Sequence, residues 1–144
     1  MSGTTNAALG AIVFAGCHPT TPIPDAAVGT NGSGSSTTFT VTGITTTVNK
    51  SWVAVFVGGN NASSNNTLNF TTVPNGWDEQ LDQAAIDRVA LGIYTKITPT
   101  AAESGNPQTT FEESARGSGI AIARAPGQTS NTLRAGRSSM LMSG

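Results

Sequence analysis

Charge is what this chain has least of. Only 10% of its 144 residues are Asp, Glu, Lys or Arg, far below the roughly 25% of an ordinary soluble domain. Little self-repulsion makes a dispersed monomer a poor colloid and suits a subunit packed into an assembly. The few basic residues are scattered, which excludes a stripe of the kind that tracks a nucleic-acid backbone. Cysteine occurs once, at Cys17, and histidine once, at His18. No internal disulfide can form, and a Cys/His zinc set is excluded. Cys17 and His18 are adjacent in a loop-like stretch, so their side chains point apart and make a poor nucleophile–base pair. The longest apolar run is too short to cross a bilayer. Met1–Asn6 shows no basic, apolar leader pattern, so the chain is expected to be made in a host cytoplasm.

What charge there is lies unevenly. Residues 1–113 carry three basic residues against all eight acids, a net of −5, whereas residues 114–144 carry four arginines and no acid. Such asymmetry points to contacts between neighbouring copies. Asp78, Glu79 and Asp82 form an acidic cluster that could bind calcium with Asn75 or backbone carbonyls, but no EF-hand-like spacing supports this, and solvated loop acids are the expected reading. No catalytic set and no cofactor motif is read, and neither a metal nor any other cofactor is expected.

The most apolar stretch is Ser51–Val57. Trp52, Ala54 and Phe56 share one face, and Val53, Val55 and Val57 share the other. A short run rich in β-branched and aromatic residues predicts a central strand buried on both sides, ended by Gly58-Gly59-Asn60-Asn61. Further strands are expected over 8–15, 36–42, 67–73, 78–81, 88–97, 108–112 and 118–124. Gly29–Ser35 reads as a flexible loop, and Pro74-Asn75-Gly76-Trp77 as a turn. Ile12, Phe14, Phe39, Val41, Trp52, Phe56, Leu91, Ile93, Ile120 and Ile122 are the expected core. Seven or eight short strands, many Gly/Pro/Asn turns and no convincing helix predict an all-β protein. The expected architecture is an antiparallel two-sheet β-sandwich, jelly-roll-like, over 1–125, with an extended C-terminal arm over 126–144. The arm lacks strand or helix periodicity, so it is expected to be disordered alone and to order against a neighbouring subunit, the alternative being that it folds back on its own sandwich. Met140, Leu141 and Met142 would anchor it, with Arg134 and Arg137 as polar contacts and Leu133 beside them.

Several of these stretches together resemble a β-sandwich domain common in tailed-phage structural proteins. They are Ala11–Gly16 followed by Pro19–Ile23, Trp52–Val57, the turn Pro74–Glu79, Tyr94-Thr95-Lys96 and the closing Gly119–Arg124. The resemblance covers roughly residues 8–125; the chain after Arg124 departs from it. It implies a capsid decoration (cement) subunit, on the virion surface, that binds the major capsid protein and associates with itself as a homotrimer. It implies no enzyme activity and no nucleic-acid or membrane partner. The alternative is a receptor- or glycan-binding module of a tail fibre or tailspike, with exposed Trp77 and Tyr94 and the Asn60–Asn66 loop forming the site.

Overall fold

A computed structural model describes residues 8–61, 67–85 and 88–127. The arm residues Leu133, Arg134, Arg137, Met140, Leu141 and Met142 lie outside the described residues. Among the described residues there is no helix. Five strands form one antiparallel sheet: β1 (Val28–Thr40), β2 (Ser51–Asn60), β3 (Asp78–Ala85), β4 (Val89–Thr98) and β5 (Gln108–Arg124). Their order across the sheet is β1-β5-β2-β4-β3. The apolar Ser51–Val57 stretch therefore occupies the middle, as its composition predicts, with β4 and β5 on either side.

The strands are fewer and longer than the sequence suggests. Gly58 and Gly59 continue β2 instead of ending it. A Cβ at Gly59 would lie 2.5 Å from the Phe111 ring, so glycine is present because a ring crosses the strand closely there. The stretches 108–112 and 118–124 are one strand; between them Ala115 and Arg116 pair with Ser36 and Ser35 in the Gly/Ser-rich half of β1, across a register shift. That half, expected as a flexible loop, is an edge strand. It carries register shifts between Asn31 and Ser35 and between Ser36 and Thr38, and such irregularities twist an edge away from foreign strands. The predicted turn is present: the Trp77 amide donates to the Pro74 carbonyl at 3.1 Å, and Gly76 has φ +76°, as a type II turn requires.

Cross-strand register assigns every residue of the central strands to a face. Val53, Val55 and Val57 stand opposite Lys96, Tyr94 and Gly92 on β4, and opposite Ala123, Ala121 and Gly119 on β5. This is the inner face. Three connecting segments cover it. Residues 41–46 run against 102–107, with the Val41 amide donating to Pro107 and the Ser104 amide to Ile44. Residues 69–71 run against the half of β5 that β2 does not reach, bridged at Phe70 and Phe111. Phe39, Val41, Ile44, Leu68, Phe70 and Phe111 from β1, β5 and these segments pack with the three valines and Tyr94 into the buried core. The rings of Phe70 and Tyr94 meet edge-on at 6.2 Å, and those of Phe70 and Phe111 lie 5.0 Å apart. Small residues on β5 leave room for these rings, which is why the packing closes.

The expected core is met at three of its ten positions. Phe39, Val41 and Ile93 are buried. Ile12, Phe14, Trp52, Phe56, Leu91 and Ile122 are half-buried, and Ile120 is exposed. Of these seven, the five on β2, β4 and β5 belong to the opposite, outer face, and Ile12 and Phe14 belong to the segment lying on it.

Candidate functional site

The outer face is built from the other residue phase of the same strands. Trp52 stands between Ile97 and Arg124, Ala54 between Thr95 and Ile122, and Phe56 between Ile93 and Ile120. Leu81 on β3 stands opposite Ile93. Alternation puts bulky apolar side chains on both sides of the sheet, so this face needs a cover too.

Its cover is thin. Residues 8–15, expected to be a strand, pair with nothing in the sheet; they cross its outer face as an extended strap. Even-numbered residues point inward. Gly10 passes so close to Leu81, Leu91 and Ile93 that a side chain there would collide with the Leu81 methyl. Phe14 stacks at 6.0 Å on Trp52. Odd-numbered residues point away: Leu9 is 88% exposed and Val13 is 90% exposed. Beside the strap, Ile97 and Ile120 remain 48% and 38% exposed. The strap is thus an apolar ridge on an apolar sheet.

Arg124 fastens the strap's end. It is nearly buried. Its Nε donates to the Cys17 Sγ at 2.9 Å and its Nη2 to the Ala15 carbonyl at 2.6 Å, while the guanidinium lies 5.8 Å from the Phe14 ring centre. The next residues continue the fastening: the His18 amide donates to the Ala125 carbonyl, the Ala125 amide to the Pro22 carbonyl, and the Gly127 amide to the Gly16 carbonyl. Arg124 was read as part of a closing strand; its role as the strap's anchor depends on a partner more than a hundred residues away, which no local pattern reveals.

The other sequence candidates are placed as follows. Cys17 Sγ turns to Arg124, whereas His18 Nδ1 accepts from the Thr21 amide at 3.1 Å, so the two do not face each other. An open groove of about 630 Å³ beside them is lined by both polar and apolar residues, among them His18, Thr47, Asn49, Lys50 and Pro126. Trp77 and Tyr94, expected to be exposed, are 7% and 0% exposed. Trp77 closes the turn under the Lys96 ammonium, 5.7 Å from its ring, and Tyr94 belongs to the core. Neither ring is open to a sugar. The Tyr94 hydroxyl is buried without a hydrogen-bond partner; the nearby Thr109 hydroxyl donates to the Thr72 carbonyl at 2.8 Å. Burial, then the charges of Asp82 and Glu79, hold the Tyr94 pKa above the ordinary phenol value.

Asp78, Glu79 and Asp82 lie together on β3. Partial burial and the neighbouring Glu79 raise the Asp82 pKa above the ordinary carboxylate value. Among the described residues no group of three or more His, Cys, Asp or Glu is placed to hold a metal ion, and no helix is long and apolar enough to cross a membrane.

Fold and site together define an all-β protein with an antiparallel sheet and one apolar face carrying an extended strap. In comparisons with protein-family models, curated proteins and solved structures, nothing matches this chain.

Proposed function

We propose that the protein is a virion structural protein of a tailed phage: a capsid decoration subunit that binds the outer shell and stabilises it by burying surface between its neighbours. It acts by binding and not by catalysis. Its partners are the major capsid protein and copies of itself, and its place is the capsid surface. The resemblance of the strap, central-strand and turn sequences to such domains supplies the particular reading. One structural observation supports it: the outer face, with Leu9 and Val13 almost wholly exposed, presents an apolar surface of the kind that marks association sites. In this reading the segments 41–46, 69–71 and 102–107 form the second layer of a jelly-roll-like sandwich, and residues 126–144 form an extended arm reaching a neighbour.

Purified protein mixed with empty phage heads tests the proposal. Co-sedimentation, and heads that survive a higher temperature with the protein bound, are the expected results. Heads that sediment without it overturn the reading. Removing residues 128–144 leaves the sheet folded and weakens head binding. A cut before Ala125 instead destabilises the sheet, because Ala125 and Gly127 are bonded to the strap end. The glycan-binding alternative loses its stacking platform with the burial of Trp77 and Tyr94.

A further inference from the structure

We infer that residues 8–15 are a latched cover: the strap swings off the outer face about Gly16 while the sheet stays folded, and Arg124 is its latch.

The first argument is how the strap is held. Among the described residues, no backbone–backbone hydrogen bond joins residues 8–15 to the sheet. The segments over the inner face are held differently. The Val41 and Thr46 amides donate to the Pro107 and Ala102 carbonyls, and the Thr71 amide donates to the Thr110 carbonyl. The strap is left with the apolar contacts of Gly10, Ile12 and Phe14. A segment with few buried side chains and no ladder bonds opens at a lower free energy than the sheet beneath it.

The second argument is where the fastening stops. From Gly16 onward the chain is tied down by the Gly16–Gly127, His18–Ala125 and Pro22–Ala125 backbone bonds, and Pro19, Pro22 and Pro24 stiffen it. Gly16 has φ +65°, and a Cβ there would meet only the Arg124 guanidinium, at 3.8 Å. The boundary between fixed and free chain falls on the residue with the widest backbone freedom, as a hinge requires.

The third argument is the latch. Arg124 donates to the Ala15 carbonyl, the last of the strap, and to the Cys17 sulfur beyond the hinge, while its guanidinium lies against the Phe14 ring. The Cys17 thiol adds a weak bond to the Phe14 carbonyl at 3.5 Å. One side chain therefore holds the strap's end by its backbone and by its largest ring. Ala54, Ile93 and Thr95, on the outer face, are at most 2% exposed; lifting the strap uncovers them. The device hides an apolar face and releases it without unfolding the sheet.

This inference goes beyond the proposed function and does not depend on it, since it is read on the isolated chain and head binding is measured with heads. Adjacent positions of β2 compare the two faces. Full-length protein carrying Cys17→Ser, which keeps an acceptor for Arg124, is the background. Ala54→Cys puts a thiol beneath the strap, Val55→Cys puts one in the inner core, and Asn75→Cys, in the exposed turn, gives the unhindered rate. Labelling with a chromogenic disulfide reagent in native buffer reads all three. The thiol at position 54 reacts at least about 100-fold slower than at 75 and at least about 100-fold faster than at 55. Its urea dependence is much the shallower of the two β2 positions, because local opening exposes little surface. Arg124→Met, which keeps the aliphatic stem, and separately Phe14→Ala each speed labelling at 54 by at least about tenfold, with a smaller change at 55. Thr95→Cys, close in size to threonine and beneath the same strap, gives the same pattern and shows that the thiol at 54 does not itself prop the strap open. The inference fails if positions 54 and 55 label at one rate with one urea dependence, since the face then opens only with the whole sheet. It fails if position 54 matches position 75, since there is then no closed state. It fails if Arg124→Met and Phe14→Ala both leave position 54 unchanged, or if removing residues 128–144 speeds it as much as Arg124→Met does, since the arm would then be the cover.

Discussion

The two faces of the central sheet are made from alternate residues of the same strands, and both are apolar. Inside, Val53, Val55 and Val57 are at most 1% exposed and Tyr94 is fully covered. Outside, Ala54, Ile93 and Thr95 are buried beneath the strap, whereas Trp52 and Phe56 on β2 stay half-buried and Ile120 reaches 38% exposure. Intrinsic hydrophobicity does not separate them, since the outer face carries the larger side chains. What separates them is the cover. The inner face meets connecting segments that hydrogen-bond to each other and bring rings with them. The outer face meets one unpaired strap. Burial in this protein follows from which connection returns over a face, and the leftover apolar face becomes the one available for contact.

Mutations that probe each side should differ accordingly. Phe111→Ala, on the inner face, is expected to cost about 3–5 kcal/mol, because the ring is nearly fully buried and leaves a cavity beside Phe70; urea unfolding measures it. Gly59→Ala forces a methyl into the Phe111 ring from the other side and should cost about 1–3 kcal/mol. Phe14→Ala, on the strap, should cost about 1–2 kcal/mol, well under the inner loss, because the ring is only half-buried. It should also change the Trp52 emission. A loss at Phe14 equal to that at Phe111 would mean that the outer face is as well covered as the inner one.

Smaller effects sharpen the same contrast. Tyr94→Phe removes a buried hydroxyl that has no partner, so stability should be unchanged or rise by about 1 kcal/mol; a clear loss would reveal a partner for that oxygen. Asp82→Asn acts through pH. The folded-state pKa of Asp82 lies above its unfolded value, so the native state binds the proton more tightly. Its ionisation therefore opposes folding: stability falls as pH rises from the ordinary carboxylate value through the raised one, and the deficit persists above it. The asparagine variant should flatten melting temperature against pH in that window, by a small amount because the group is largely exposed.

Much of the sheet is legible residue by residue. The β4 alternation of Val89, Leu91, Ile93 and Ile97 against Ala90, Gly92, Tyr94 and Lys96 is the observed division between faces. The β2 stretch is central because no edge or half-exposed strand tolerates two apolar faces so well. The phase of the core was not legible. Larger side chains suggested that Trp52, Phe56 and Ile120 face inward, whereas the interior takes small residues on β5 so that aromatic rings from the connections can fill the space. The runs Ala121-x-Ala123 and Gly117-x-Gly119 carried that signal. The strap was misread for a related reason: Ala8–Ala15 has every local property of a strand except a partner, and pairing is not a local property. The same holds for 67–73, which alternates cleanly yet bridges β5 only at Phe70.

By itself the sequence determined the all-β character, the central position of Ser51–Val57, the Pro74–Trp77 turn and the scarcity of ionisable side chains. These follow from backbone preferences and the two-residue period of a strand, which each short stretch carries alone. Only the tertiary structure decided which of two apolar faces became the core, that Arg124 anchors the strap through Cys17 and Ala15, and that Leu9 and Val13 point to solvent. Those outcomes depend on residues brought together from distant parts of the chain, where closure of the inner layer used up the available connections and left the outer face its single strand of cover.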